Sequence, residues 1–316
     1  MLRERAPRIQ ARRRGDRAVT LRIGTRGSAL ALAQAGTIAD ALGGELVVIT
    51  SEGDTSTASL ASLGGTGVFA KALRDALLAG EIDAVVHSYK DLPTAKASGL
   101  SVAAVPRRAD ARDALCARDG LTFDTLPEGA RVGTGSPRRR AQVASLRPDL
   151  ELVDIRGNVD TRLGRVGADD PERRLDAVIL AAAGLDRVGR SDAVTELLDL
   201  DTWPTAPAQG ALAIETRRDE EKLVSRLDHR PTRLTTSAER GVLAELEAGC
   251  AAPIGAHAFV EDDMLFLTAR IYAPDGSAHL TASHATVLQK DAAADVAARV
   301  AAELLAAGAA ELAPLG

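Results

Sequence analysis

The 316-residue sequence predicts two α/β lobes joined by chain crossings, followed by a smaller α+β domain. Three observations carry this expectation. Apolar runs of strand length alternate with helix-period segments from Val19 to Leu180. A further strand pattern, Ala211 to Thr216, comes late enough to return to the first lobe. Beyond Thr236 the pattern changes to one helix, three strands and a long Ala-rich closing helix.

The first lobe opens with a strand over Val19–Gly24, a turn at Thr25-Arg26-Gly27-Ser28 and a helix to about Leu42. Glu45–Thr50 reads as the second strand. Ser51–Gly67 is rich in Ser, Thr and Gly, with little to bury, and long loops of this kind often act as lids. A helix over Val68–Ala79 ends at Gly80, a natural C-cap. Ala84–Ser88 is a buried strand that runs into Tyr89-Lys90-Asp91-Leu92-Pro93, where the proline stops regular structure. Two short strands between Leu100 and Ala117 flank Arg107, Arg108 and Asp110.

The second lobe has strands near Ala130–Val132, Glu151–Ile155 and Ala177–Leu180, with helices starting at Ser136 and Asn158. Pro204–Gly210 is a loop. The last third has a helix over Thr236–Glu247, strands at Ala256–Val260 and Leu265–Tyr272, a Pro274-Asp275-Gly276 turn and a third strand. A helix over Asp291–Ala307 closes the chain.

Composition narrows the function. Aromatic residues are 2% of the chain, too few for base-stacking platforms. Net charge is −5, yet the first 17 residues carry seven arginines against Glu4 and Asp16. The remainder is therefore strongly acidic, which argues against broad nucleic-acid binding. The basic tail lacks the apolar core of a signal peptide and reads as a disordered extension over residues 1–19. No stretch is long and apolar enough to span a membrane. Two cysteines, Cys116 and Cys250, form neither a disulfide framework nor a metal-ligand set, so the expected compartment is the cytoplasm.

The chemistry concentrates at strand-to-helix turns. Gly133-Thr134-Gly135-Ser136-Pro137-Arg138-Arg139 combines a glycine turn, an N-capping serine and a proline suited to the first helical position. Free N–H groups and the helix dipole then favour an anion. Arginines there oppose the dipole, so helix stability does not explain them, whereas a bound carboxylate or phosphate does. Arg26 and Ser28 repeat the arrangement, and Asp154-Ile155-Arg156-Gly157-Asn158 with Arg162 gives a third basic turn. The set calls for a ligand with several separate anions. No Walker pattern is present, so a polycarboxylate fits better than a nucleotide.

Lys90 is one of only five lysines. It reads as a Schiff-base lysine, a carboxylate anchor or a surface charge, and Asp91 beside it is suited to stabilising a developing cation. His87 reads as a packed histidine. Cys116 sits in an apolar strand and reads as structural. Cys250, among small residues after a helix, is equally readable as buried structure or as an attachment point for a partner group. The alternatives at this stage are a non-catalytic two-lobed binder of an anion and an RNA-associated protein using the basic tail.

At these residues the chain resembles the porphobilinogen deaminase family. The matching pieces are Arg22-Ile23-Gly24-Thr25-Arg26-Gly27-Ser28, His87-Ser88-Tyr89-Lys90-Asp91-Leu92-Pro93 and Val132-Gly133-Thr134-Gly135-Ser136-Pro137-Arg138-Arg139. Arg156-Gly157-Asn158-Val159, Ala208-Gln209-Gly210-Ala211 and Gly249-Cys250 with Pro253-Ile254-Gly255 follow in family order.

The resemblance implies two periplasmic-binding-protein-like lobes with double crossovers and a C-terminal cofactor-attachment domain. The corresponding limits are 20–106 with 211–230 for lobe 1, 107–210 for lobe 2 and 231–316 for the third domain. It implies a monomeric transferase, with no nucleic-acid partner, that deaminates and joins four porphobilinogen molecules into hydroxymethylbilane. The primer is a dipyrromethane cofactor attached to Cys250 by a thioether.

It further implies that Asp91 accepts hydrogen bonds from pyrrole N–H groups and stabilises the cationic azafulvene left when ammonia departs. Lys90, Ser88, Thr134, Ser136, Arg138 and Arg139 bind the cofactor. Arg26, Ser28, Arg156, Arg162, Arg187 and Gln209 serve substrate and growing chain, with Phe69 over the site. Thr66 stands where the family often has a lid lysine, and Ala248 where glycine is common.

Overall fold

The computed structural model describes residues 20–50, 67–249 and 252–315. The N-terminal extension, the glycine-rich loop with Thr66, and Cys250 lie outside the described residues. Lobe 1 contains β1 (Arg22–Thr25), α1 (Ala29–Leu42), β2 (Glu45–Val48), α2 (Gly67–Leu78), β3 (Ala84–Ser88) and β4 (Leu100–Ala104). Lobe 2 contains β5 (Asp113–Ala117), β6 (Arg131–Gly133), α3 (Pro137–Leu146), β7 (Glu151–Val153), α4 (Val159–Leu163), β8 (Ala177–Ala181), α5 (Ala182–Arg187) and β9 (Glu196–Leu197). The chain then returns to lobe 1 as β10 (Leu212–Arg217).

The two sheets have matched topologies, β2-β1-β3-β10-β4 and β7-β6-β8-β5-β9. In each, four strands share one direction and the strand entering from a crossing, β10 or β5, runs antiparallel to both of its neighbours. This is a two-lobed fold with two crossings. The carboxyl ends of parallel strands are where open α/β sheets place ligands. Buried Val, Ile, Leu and Ala fill the strand interiors, as in Ile23, Val85 and Ile214 of lobe 1 and Val132, Ile179 and Leu115 of lobe 2.

The two crossings lie against each other. Ala109 N–H donates to Gly210 O at 3.2 Å. Gly210 has φ of 86°, and a Cβ there would meet Ala109 O at 2.7 Å. Only glycine allows so close a backbone approach at that angle.

The third domain comprises α6 (Arg230–Glu245), the antiparallel sheet β11 (Ile254–Glu261), β12 (Met264–Tyr272) and β13 (His279–Val287), then α7 (Ala292–Ala306) and α8 (Ala309–Leu312). Its core joins Val242, Leu265, Ile271, Val296 and Val300. Helix α6 starts six residues earlier than the expected Thr236. Pro231 sits in its first turn, His229 caps it by accepting from Thr232 N–H at 3.3 Å, and Thr232 and Thr236 are buried. Tertiary packing overrides the weak helix propensity of that Thr-rich run.

Glu239 on α6 ties the three parts together. Its fully buried carboxylate pairs with Arg108 of the first crossing at 2.7 and 2.9 Å. It also accepts from Ala208 N–H of the second crossing at 2.6 Å and from Ala258 N–H of β11 at 2.9 Å.

Candidate active site

Between β6 and α3 the chain turns sharply through Thr134-Gly135-Ser136. A Cβ on Gly135 would meet Ile155 O at 2.6 Å, so this turn packs directly on the end of the neighbouring segment. Ser136 caps α3 by accepting from Arg139 N–H at 3.5 Å, and Pro137 occupies the first turn. These features set Arg138 and Arg139 at the helix start, with 4% and 6% of their surface exposed.

Nothing in the local sequence marks their partner. Asp113, which opens β5 and is fully buried, accepts from Arg138 Nη2 at 2.9 Å and Arg139 Nη2 at 2.7 Å. Trp203 Nε1 and Gln209 Nε2 donate to the same carboxylate at 2.9 and 2.7 Å. Burial pushes the Asp113 carboxyl up, but the two guanidinium groups outweigh it and hold it well below the usual carboxylate range.

Lobe 1 contributes the end of β3. Tyr89–Asp91 forms a short 3-10 turn that presents half-buried Lys90 and exposed Asp91. Lys90 Nζ donates to Gln209 Oε1 at 3.1 Å, so the fully buried Gln209 side chain links Lys90 to Asp113. Burial drives the Lys90 ammonium down from 10.5 to about 8, with Asp91 opposing the shift and Arg139 adding to it. Ser88 is engaged with Gln34 Oε1 at 3.0 Å.

Of the remaining arginines, Arg26 and Arg156 follow strands, whereas Arg162 and Arg187 sit in the last turns of α4 and α5. Arg162 Nε donates to Gly157 O at 2.8 Å, and burial, then repulsion from Arg139, lowers its pKa. Arg156 is exposed after β7 and lies 3.9 Å from Asp154. Arg187 closes α5, donates to Gly210 O at 2.7 Å, and is lowered by burial. Arg26 and exposed Ser28 follow β1, the neighbour of β3, with Ser28 capping α1 through Ala31 N–H at 3.3 Å. Phe69 lies in the first turn of α2, and its side chain and Cys250 fall outside the described residues. Gly249 and Ala252 flank Cys250 and are joined by a 3.1 Å backbone hydrogen bond, while Gly249 N–H is held by Leu315 O at 2.9 Å.

The donor set fits a group bearing carboxylates. Arg138 and Arg139 share the fully buried Asp113 carboxylate, Lys90 of the other lobe reaches it through Gln209, and the Nε atoms of Arg138 and Arg139 are buried without a hydrogen-bond partner among the described residues. Lys90, Arg138, Arg162 and Arg187 are all pushed below their ordinary pKa, each chiefly by burial. Buried cations in surplus are costly unless an anion joins them. Cys116, in contrast, is buried in β5 and its thiol is pushed up to about 11, which makes it an inert structural residue.

Fold and site together define a two-lobed α/β protein with cations from both lobes gathered where strand ends meet. The chain belongs to the porphobilinogen deaminase family: residues 21–225 match the family's dipyrromethane cofactor binding domain and residues 233–306 its C-terminal domain. It is 60% identical to porphobilinogen deaminase of Leifsonia xyli, over 93% of this chain and 94% of that one. It is 57% identical to the Thermobifida fusca enzyme over 81% and 82% of the two chains, and 50% identical to the Corynebacterium efficiens enzyme over 93% and 99%. Solved structures it matches include the methionine-binding protein MetQ, at 14% identity and TM-score 0.39 over 66% of this chain and 89% of that one. The protein is an enzyme, a transferase of tetrapyrrole biosynthesis, with a dipyrromethane cofactor-binding domain. Among the described residues no helix is long and apolar enough to cross a membrane.

Proposed function

We propose that this enzyme joins four porphobilinogen molecules head to tail into hydroxymethylbilane, releasing ammonia at each addition, on a primer held through a thioether to Cys250. The observation that carries this reading is the pair of buried guanidinium groups, Arg138 and Arg139, sharing the one carboxylate of Asp113. Each pyrrole unit brings an acetate and a propionate, so a growing chain accumulates the charge that such a pair favours. When bound, the dipyrromethane supplies the free pyrrole carbon to which the first substrate unit is joined.

The chain's own residues supply position and electrostatics. Thr134, Ser136, Arg138 and Arg139 hold cofactor carboxylates with Ser88 and Lys90. The unpartnered Nε atoms of the two arginines are the donors left for them. Asp113 keeps both guanidinium planes fixed, so little reorganisation accompanies binding. Arg26, Ser28, Arg156, Arg162, Arg187 and Gln209 receive the incoming substrate and the lengthening chain, with Phe69 beside them. Asp91, at the exposed tip of its turn, accepts the pyrrole N–H and faces the positive charge left on the substrate as ammonia leaves. A carboxylate placed there lowers the barrier to a cation, provided water does not screen it.

In this reading 231–316 is the attachment domain, 20–106 with 211–230 is lobe 1, and 107–210 is lobe 2. The enzyme works as a cytoplasmic monomer without nucleic acid. Consumption of porphobilinogen and release of ammonia by Asp91→Ala test the assignment. The expected variant folds, carries its cofactor and turns over slowly, on the order of a hundredfold below the parent, as for loss of one electrostatic stabiliser. Near-normal turnover contradicts the role given to Asp91.

A further inference from the structure

The turn that carries Lys90 and Asp91 is tied to lobe 1 at its start, where Tyr89 N–H donates to Ala211 O at 3.0 Å. Tyr89–Asp91 is a single 3-10 turn closed by Leu92 N–H on Tyr89 O at 3.3 Å. Such turns have poorer hydrogen-bond geometry than an α-helix. Tyr89 and Leu92 pack into a buried apolar cluster with Val105 and Ala211, and beside them lies a cavity of about 500 Å³ whose walls include Tyr89, Leu92, Pro93 and Arg240.

From the third domain the turn is held by Arg240, on α6 and 8% exposed. Its Nη1 donates to Tyr89 O at 2.9 Å and Leu92 O at 2.8 Å, and its Nη2 to Pro93 O at 2.9 Å. Its guanidinium carbon lies 4.4 Å from the centre of the Tyr89 ring. The three carbonyls bracket Lys90 and Asp91 on both sides. A planar fork that bonds three backbone oxygens and stacks on a ring fixes position and tilt together, which a lysine ammonium does less well.

We propose that Arg240 is a positioning residue for the reaction: from the third domain it fixes the backbone that aims Asp91 and Lys90 at the cleft. The inference rests on the role given to Asp91 above. It also links the domain that carries Cys250 to the turn bearing the proposed catalytic carboxylate. Next to Arg240 on the same helix, Glu239 holds both crossings, so one turn of α6 sets the lobes and the reacting carboxylate relative to each other.

The test compares Arg240→Met, Arg240→Lys and Asp91→Ala as purified holoenzymes at 25 °C. Arg240→Met is expected to keep its cofactor by intact mass and a KM for porphobilinogen within about threefold, while kcat falls roughly 10- to 100-fold, the scale of a misplacement near 1 Å. Amide hydrogen exchange should rise over residues 89–93 and stay unchanged in β11–β13. Arg240→Lys should recover part of the kcat, and it serves alone if the Met variant does not fold. Parental kcat in either folded Arg240 variant, or a loss that only tracks missing cofactor or unfolded protein, overturns the proposal. A fully active Asp91→Ala overturns the catalytic reading instead, whereas an inactive Asp91→Ala beside a fully active Arg240→Met overturns only the positioning role.

Discussion

Removing Lys90 should stabilise the cofactor-free protein while abolishing its purpose. The Lys90 ammonium is driven from 10.5 to about 8, first by burial, with Arg139 nearby and Asp91 only partly compensating. A lowered lysine pKa means that the folded state resists the charged form. That cost is fully present below pH 8, fades as pH rises through 8 to 10.5, and is gone above. A drop of this size corresponds to about 3 kcal/mol, and the lost Lys90–Gln209 hydrogen bond returns ~1 kcal/mol of it. Lys90→Met, placed in a Cys250→Ser background to prevent cofactor attachment, should therefore gain about 2 kcal/mol at pH 7. The assay is the urea midpoint from pH 7 to 10.5, with and without the Lys90 change. The difference should shrink towards zero or reverse by pH 10.5. A variant less stable than its parent at pH 7, or a difference flat across that range, would refute the view that burial disfavours the charged form of this lysine.

Two further outcomes follow from the same cluster. Asp113→Asn leaves two buried guanidinium groups facing an amide, and breaking a buried pair from one side typically costs about 3–5 kcal/mol. The depressed Asp113 pKa makes its contribution fully present above the unfolded carboxyl value and lost only as pH falls through the folded one, so the deficit in denaturation midpoint should persist from pH 5 to 8; equal midpoints would count against the pairing. Arg139→Leu should lower the fraction of protein that carries cofactor, read by intact mass, and a full complement would remove Arg139 from the cofactor site.

Much of this site was legible because its signals are local. Ser136-Pro137 and Asn158 announce helix starts, and arginines placed against a helix dipole call for an anionic partner, which for Arg138 and Arg139 is Asp113 within the chain. The alternation of strands and helices, with a late return strand, was enough for two lobes and two crossings. What escaped the sequence depends on contacts far apart in the chain. Asp113 lies 25 residues before Arg138 and 96 before Gln209, and nothing beside it marks it as the shared partner. Glu239 meets Arg108 across 131 residues, and Arg240 meets Tyr89 across 151. An acid or arginine on a helix reads as surface charge until the fold buries it. The early start of α6 was hidden similarly, because Pro231 and the threonines favour a loop until packing decides.

The most direct measurement of the central claim is the intact mass of the purified protein, with Cys250→Ser beside it. The account predicts a parent heavier than its 32.8 kDa chain by two joined pyrrole units, and a serine variant at the bare chain mass. An unmodified parent, or the same added mass on the serine variant, would contradict it.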